Sequence, residues 1–111
     1  MTPMEIIVAA LTEAGEDPAN VQAWDVKPKD KLLRMQGANR VARAVRDNLG
    51  QEVIIYDKTL PSGLEPMLQH EAAHIVAWRR HGEGIEEHGP EFLEICRQLV
   101  KDNPLRYCKK D

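Results

Sequence analysis

His70, Glu71 and His74 stand together in the run His70-Glu71-Ala72-Ala73-His74, and His88 follows in the segment His88-Gly89-Pro90-Glu91-Phe92. Three imidazoles and a carboxylate at these spacings suit a hydrolytic zinc site. Side chains four apart on a helix share one face, one turn from each other, so the rings of His70 and His74 can converge on a single cation. Glu71 is offset by one residue and can reach a water on the metal without ligating it. The chemistry asks for that division of labour: zinc lowers the pKa of its water toward about 7 and polarises a carbonyl, while a carboxylate takes the proton from the attacking water.

Two histidines and a base leave the ion one protein ligand short, and helix geometry ranks the candidates. His81 lies seven residues after His74. An unbroken helix would carry it about 10 Å further along the axis, against zinc to nitrogen bonds of about 2.0–2.1 Å. His81 reads instead, with Arg79 and Arg80, as a solvated helix end that complements the dipole. A metzincin pattern would need Gly at 77 and His at 80, where this chain has Ala and Arg. His88 lies beyond Gly82 and Gly84, which can end the helix and turn the chain back, and just before a helix that Pro90 can open. It ranks first. Glu91 or Glu94 on that following helix ranks second, as in a gluzincin arrangement, since Glu91 equally suits a first helical turn as a dipole partner. Tyr107 and Arg79 are both eligible to stabilise an oxyanion, and nothing in the sequence selects either.

Across roughly residues 64 to 100, the run from His70 to Ile75, a glycine-containing loop and the His88 to Phe92 segment together resemble the SprT-like (Spartan-like) zinc metallopeptidases. The resemblance implies zinc held by His70, His74 and His88 with Glu71 as catalytic base. It also implies an α+β, zincin-like minimal protease fold of about four helices with a small two- or three-stranded sheet. The expected activity is hydrolysis of peptide bonds, with DNA-associated or crosslinked proteins as substrates and DNA as a partner. Zincins commonly offer a strand edge beside the motif helix to an extended substrate, which makes Val53 and Ile55 the candidates for that edge. The alternative from another class is a non-catalytic, zinc-stabilised interaction or regulatory module. A cysteine-rich ribbon like that of many family members has no counterpart here, as the cysteines are Cys96 and Cys108 with no CxxC.

Composition narrows the field. The 111 residues, 42% hydrophobic and 30% charged, suffice for one domain with one core. We place the motif core at about 51–102 and a solvated tail at 103–111. The net charge of −3 argues against a strong non-specific nucleic-acid binder acting through the whole molecule. No apolar run approaches the roughly 20 residues that span a bilayer. Two cysteines twelve apart make no disulfide framework, and no charged-then-apolar leader opens the chain, so a reducing, cytoplasmic setting is expected. Cys96 falls on an apolar stripe and reads as a core residue, and Cys108 as an exposed thiol.

The elements that must position the site follow from periodicity and punctuation. Thr2-Pro3-Met4-Glu5 is a capping box that opens a helix over about 3–14, stopped by Gly15. Residues 21–26 form a strand or a loop with Trp24 buried. From Asp30, the stripe Met35, Ala38, Val41, Ala42, Val45 and Leu49 favours a helix ending at Gly50; the competing reading makes 40–46 a strand turned through Asn48-Leu49-Gly50. Glu52 to Asp57, rich in β-branched and aromatic residues, is the surest strand. The motif helix spans Leu64 to about Arg80, with Leu64, Leu68, Ile75 and Trp78 inward. The last helix spans Pro90 to about Asp102, with Phe92, Ile95, Cys96, Leu99 and Val100 inward, and Asn103-Pro104 ends it.

Overall fold

The computed structural model describes residues 1–26, 42–57 and 63–109. In chain order these form α1 (Pro3–Glu13), β1 (Val21–Val26), β2 (Ala42–Arg46), β3 (Glu52–Asp57), α2 (Leu64–His81), α3 (Pro90–Leu99) and a short α4 (Pro104–Tyr107). Four helices and one three-stranded sheet make an α+β fold, as expected from the sequence.

The first helix begins where its capping box says it should. Thr2 Oγ1 accepts from the Glu5 amide at 3.1 Å, and Glu5 Oε1 accepts from the Thr2 amide at 2.9 Å. Two of the amide donors that a helix start leaves unmet are thereby satisfied. Ile6, Ile7, Ala10 and Leu11 face the core from this helix.

The favoured helix from residue 30 is corrected over its described part. Residues 30–41 lie outside the described residues, whereas Ala42–Arg46 is a strand. Ala and Arg favour helix locally, but β2 gains antiparallel pairing with β3, in the register Ala44↔Ile54 and Arg46↔Glu52. The turn between them is built on Asp47, whose Oδ1 accepts from the amides of Leu49 and Gln51 at 2.9 and 2.8 Å. Leu49, assigned to a buried stripe, is 88% exposed at its tip.

β3 is the central strand, parallel to β1 and antiparallel to β2. Its two faces separate as the period of a strand requires. Ile54 joins the main core beneath the helices, while Val53 and Ile55 pack with Val45 in a second cluster. The suggestion that Val53 and Ile55 offer a substrate edge is therefore corrected: β3 is paired on both sides, and among the described residues the outer strands are β1 and β2. Trp24, expected to be buried on β1, is 45% exposed.

The main core joins α1, β1, β3, α2 and α3 through residues such as Ile7, Leu11, Leu68, Ile75, Phe92 and Leu99, each buried. A buried carboxylate ties the sheet to α2. Glu52 is 5% exposed and accepts from Arg79 at 2.6 and 3.0 Å and from Arg46 at 3.0 Å. Burial pushes the Glu52 carboxyl upward, but hydrogen bonds and positive charge from Arg79 and Arg46 outweigh it and hold the group below its ordinary value. No described helix is long and apolar enough to cross a membrane.

Candidate metal centre

α2 carries His70, Glu71 and His74 through its middle turns, and a left-handed glycine ends it: Gly82 has φ 82° and its amide donates to the Trp78 carbonyl at 2.9 Å. The chain then loops through residues 83–88 and re-enters a helix at Pro90. Gly89 makes that return compact. Its amide donates to the Glu86 carbonyl at 3.2 Å, and a Cβ there would lie 2.8 Å from the Cβ of Glu86. A side chain at position 89 would push the loop away and His88 with it.

This path brings the third histidine to the first two. The ligating atoms of His70, His74 and His88 all lie within 4.8 Å of one another, and these three are the convergent group among the described residues. Their ring centres form a nearly equilateral triangle with sides of 5.0, 5.1 and 5.4 Å. With zinc to nitrogen bonds of about 2.0–2.1 Å and a tetrahedral angle, three imidazole centres are expected about 5.2 Å apart. The donor set fits a divalent ion of that preference. His74 is buried, and His70 and His88 are half-buried. Glu91 sits in the first turn of α3 and Glu94 is exposed, both outside the convergent group. His81, set aside by helix geometry, is exposed at the end of α2.

His70 is oriented from behind. Its Nδ1 lies 2.6 Å from the carbonyl oxygen of Tyr107. A carbonyl only accepts, so Nδ1 carries the proton, and the neutral ring presents the lone pair of Nε2 to a metal. A carbonyl partner on the second ring nitrogen is the usual way a ligating histidine has its tautomer fixed.

Phe92 is the floor of the centre. It is fully buried and its ring contacts all three imidazoles, stacking on His74 at 4.0 Å between centres and meeting His70 and His88 edge-on at 5.0 and 5.1 Å. From sequence it is one of five core positions on α3. Its place at the end of the His88 to Phe92 segment is the signal that could have linked it to the site.

Glu71 is 2% exposed and its Oε1 accepts from the Ala44 amide of β2 at 3.0 Å. The carboxylate is thus anchored to the outer strand β2 rather than left to rotate. Beside it opens a cleft of about 350 Å³ whose wall includes residues 43–46 of β2, with Glu71, His74, Trp78 and Ile85. Arg46 lies over the Trp78 ring at 5.7 Å and bridges to Glu83 at 3.7 Å, giving the cleft a charged rim. Arg79, one of the two eligible oxyanion donors, is instead committed to Glu52 and to the Asp17 carbonyl at 2.8 Å. Its guanidinium is held above its ordinary pKa by the hydrogen bond to Glu52.

Cys96 lies in the core, as its apolar stripe implies, whereas the reading of Cys108 as an exposed thiol and of the two cysteines as unpaired is corrected. Cys96 of α3 and Cys108 are joined by a disulfide with Cα atoms 5.8 Å apart, and Cys108 is 1% exposed. Of the tail read as solvated, the described residues 103–109 are therefore pinned, through α4, beside the three histidines. Asn103, with φ 54°, makes the reversal after α3 that brings it back, an angle Asn tolerates better than most residues. The disulfide removes the cysteine argument for a reducing compartment.

Comparison of the chain with protein-family models, with curated proteins and with solved structures returns no match.

Proposed function

We propose that this protein is a zinc metallopeptidase of SprT-like type, with zinc held by His70, His74 and His88 and Glu71 as general base. The observation that carries the reading is the convergence of three imidazoles with a base anchored beside them at an open cleft. A closed structural zinc site ordinarily takes four protein ligands, whereas three leave a position for water. When bound, zinc supplies Lewis acidity toward water and toward a carbonyl oxygen.

The chain's own groups do the rest. Tyr107 fixes the His70 tautomer, Phe92 holds the three rings in register, and the Ala44 amide holds Glu71 Oε1 so that the carboxylate stays directed at the cleft. Glu71 accepts the proton of the attacking water and can return it to the leaving amine. Such proton transfer contributes about 10²–10⁴-fold to rate. An extended peptide would lie in the cleft beside β2, whose residues 43–46 line it.

DNA-associated or crosslinked proteins belong to the proposal as a substrate class, and so does a cytoplasmic site of action. The Cys96–Cys108 bond weighs against that location, since reducing compartments keep thiols apart. Alkylation of thiols in freshly lysed cells decides it.

The Ala44 to Glu71 bond also favours a second reading, in which Glu71 ties helix to sheet and the metal stabilises a non-catalytic interaction module. Zinc-loaded protein incubated with an unfolded polypeptide, with and without double-stranded DNA, separates the two. New amino termini, found by mass spectrometry and abolished by a chelator, support the peptidase. An intact substrate under every condition supports the module.

A further inference from the structure

We infer that the Cys96–Cys108 disulfide is a redox latch on the metal centre, holding the Tyr107 carbonyl on His70 and thereby setting the affinity for metal. This rests on the metal-centre reading and adds to it a control on the same site.

The latch follows from how the C-terminal segment is held. α4 spans Pro104–Tyr107 and buries none of its own residues, and Leu105 is 70% exposed. Within it the half-buried Tyr107 packs against the main core, and its covalent anchor lies just beyond its end, at Cys108, which is packed in that core and bonded to Cys96. Tyr107 is the residue immediately before that anchor, and its carbonyl meets His70 Nδ1 at 2.6 Å. The other end of the bond converges on the same ring, since Cys96 Sγ lies 3.7 Å from His70 Nδ1. One imidazole is thus held between a sulfur of the disulfide and the carbonyl next to it.

Opening the latch needs an external dithiol or phosphine as reductant. For a dithiol, two electrons and two protons pass to the protein: the Cys96–Cys108 bond breaks, two thiols form, and the reductant closes to its own disulfide; a phosphine is oxidised to its oxide, with water supplying the oxygen and the two thiol protons. The segment after Asn103 then loses its covalent anchor. A four-residue helix whose hold on the core is the half-buried Tyr107 keeps its place less firmly without that bond, because short helices depend on packing. Once the Tyr107 carbonyl leaves, nothing from that segment keeps the proton on Nδ1, and the ring samples the tautomer whose Nε2 is protonated and cannot ligate. Loss of such a partner typically lowers metal affinity about 10–100-fold.

The test uses the full chain in three forms: oxidised, reduced with a phosphine that is then removed, and Cys96→Ala/Cys108→Ala. Zinc is the probe, its affinity read by competition with a chromophoric chelator. Long-range proton–nitrogen correlation of the metal-free protein reads the His70 tautomer. The latch predicts one tight zinc in the oxidised form and a fall of about 10–100-fold in both disulfide-free forms. It also predicts that His70 passes from Nδ1–H to a mixture while helical content persists. Equal zinc affinity in all three forms, or a His70 that keeps its Nδ1 proton without the bond, overturns the latch and leaves the metal centre standing. Unfolding of the disulfide-free forms overturns it as well, since a latch needs a fold that outlasts its opening. No zinc binding by the oxidised form overturns the metal centre and the latch together.

Discussion

At the scale of the residue, the centre divides into groups that would bind metal and groups that hold them. His88 belongs to the first, so His88→Ala should weaken zinc by more than the roughly 10–100-fold that loss of an outer partner costs, as read by chelator competition. Phe92 belongs to the second. Its ring touches all three imidazoles and is fully buried, so Phe92→Ala should destabilise the protein by about 3–5 kcal/mol in urea unfolding, and Phe92→Leu by less. The convergence of the three histidines was legible in the sequence, because two histidines at a helical spacing and a third beyond a glycine break are facts of residue type. The groups that hold them were not. The Ala44 amide and the Tyr107 carbonyl belong to a backbone that every residue carries, so no residue identity marks them. The pairing of Cys96 with Cys108 depended on the chain reversing at Asn103, which the sequence shows only as a helix stop.

At the scale of the element, helices with caps and long periodic stripes could be read directly, and short segments could not. The capping box of α1 and the glycine end of α2 fall where their residues place them. Residues 42–46 did not, because Ala-Arg-Ala-Val-Arg fits either period and a neighbouring strand decided it. That strand matters for function, since it supplies the amide on Glu71 and the wall of the cleft. Its far end is tied to α2 through Glu52, Arg46 and Arg79. Arg79→Met should cost about 1.5–3 kcal/mol near neutral pH, the range for a lost hydrogen bond to a charged group, as Arg46 still pairs Glu52. The pH dependence fixes the sign. Glu52 is held below its ordinary value of 4.5, so its stabilisation is present above that value and is lost as pH falls through the lowered one. The gap in urea midpoints between Arg79→Met and the parent should therefore narrow from pH 7 toward pH 3, leaving the part due to the lost Asp17 carbonyl contact. A constant gap would remove Glu52 from the account.

At the scale of the whole molecule, one core beneath a three-stranded sheet carries both the fold and the centre, with α2 and α3 contributing to each. Metal and fold should then be linked. Zinc at about 100 times its dissociation constant is expected to add about 2.7 kcal/mol of stability, visible as a higher melting temperature that a chelator reverses. The α+β class was within reach of the sequence because caps, a β-rich run and two amphipathic stretches are local. The strand order β1-β3-β2 was not, since pairing partners are set by tertiary packing. The central claim is that Glu71 acts on water at a zinc held by three histidines. Its most direct test is the cleavage rate of an unfolded polypeptide by the parent and by Glu71→Gln, each shown to hold one zinc. The account predicts cleavage by the parent and a rate at least about 100-fold lower in the variant at equal metal content. Equal rates, or no cleavage by the zinc-loaded parent, would contradict it.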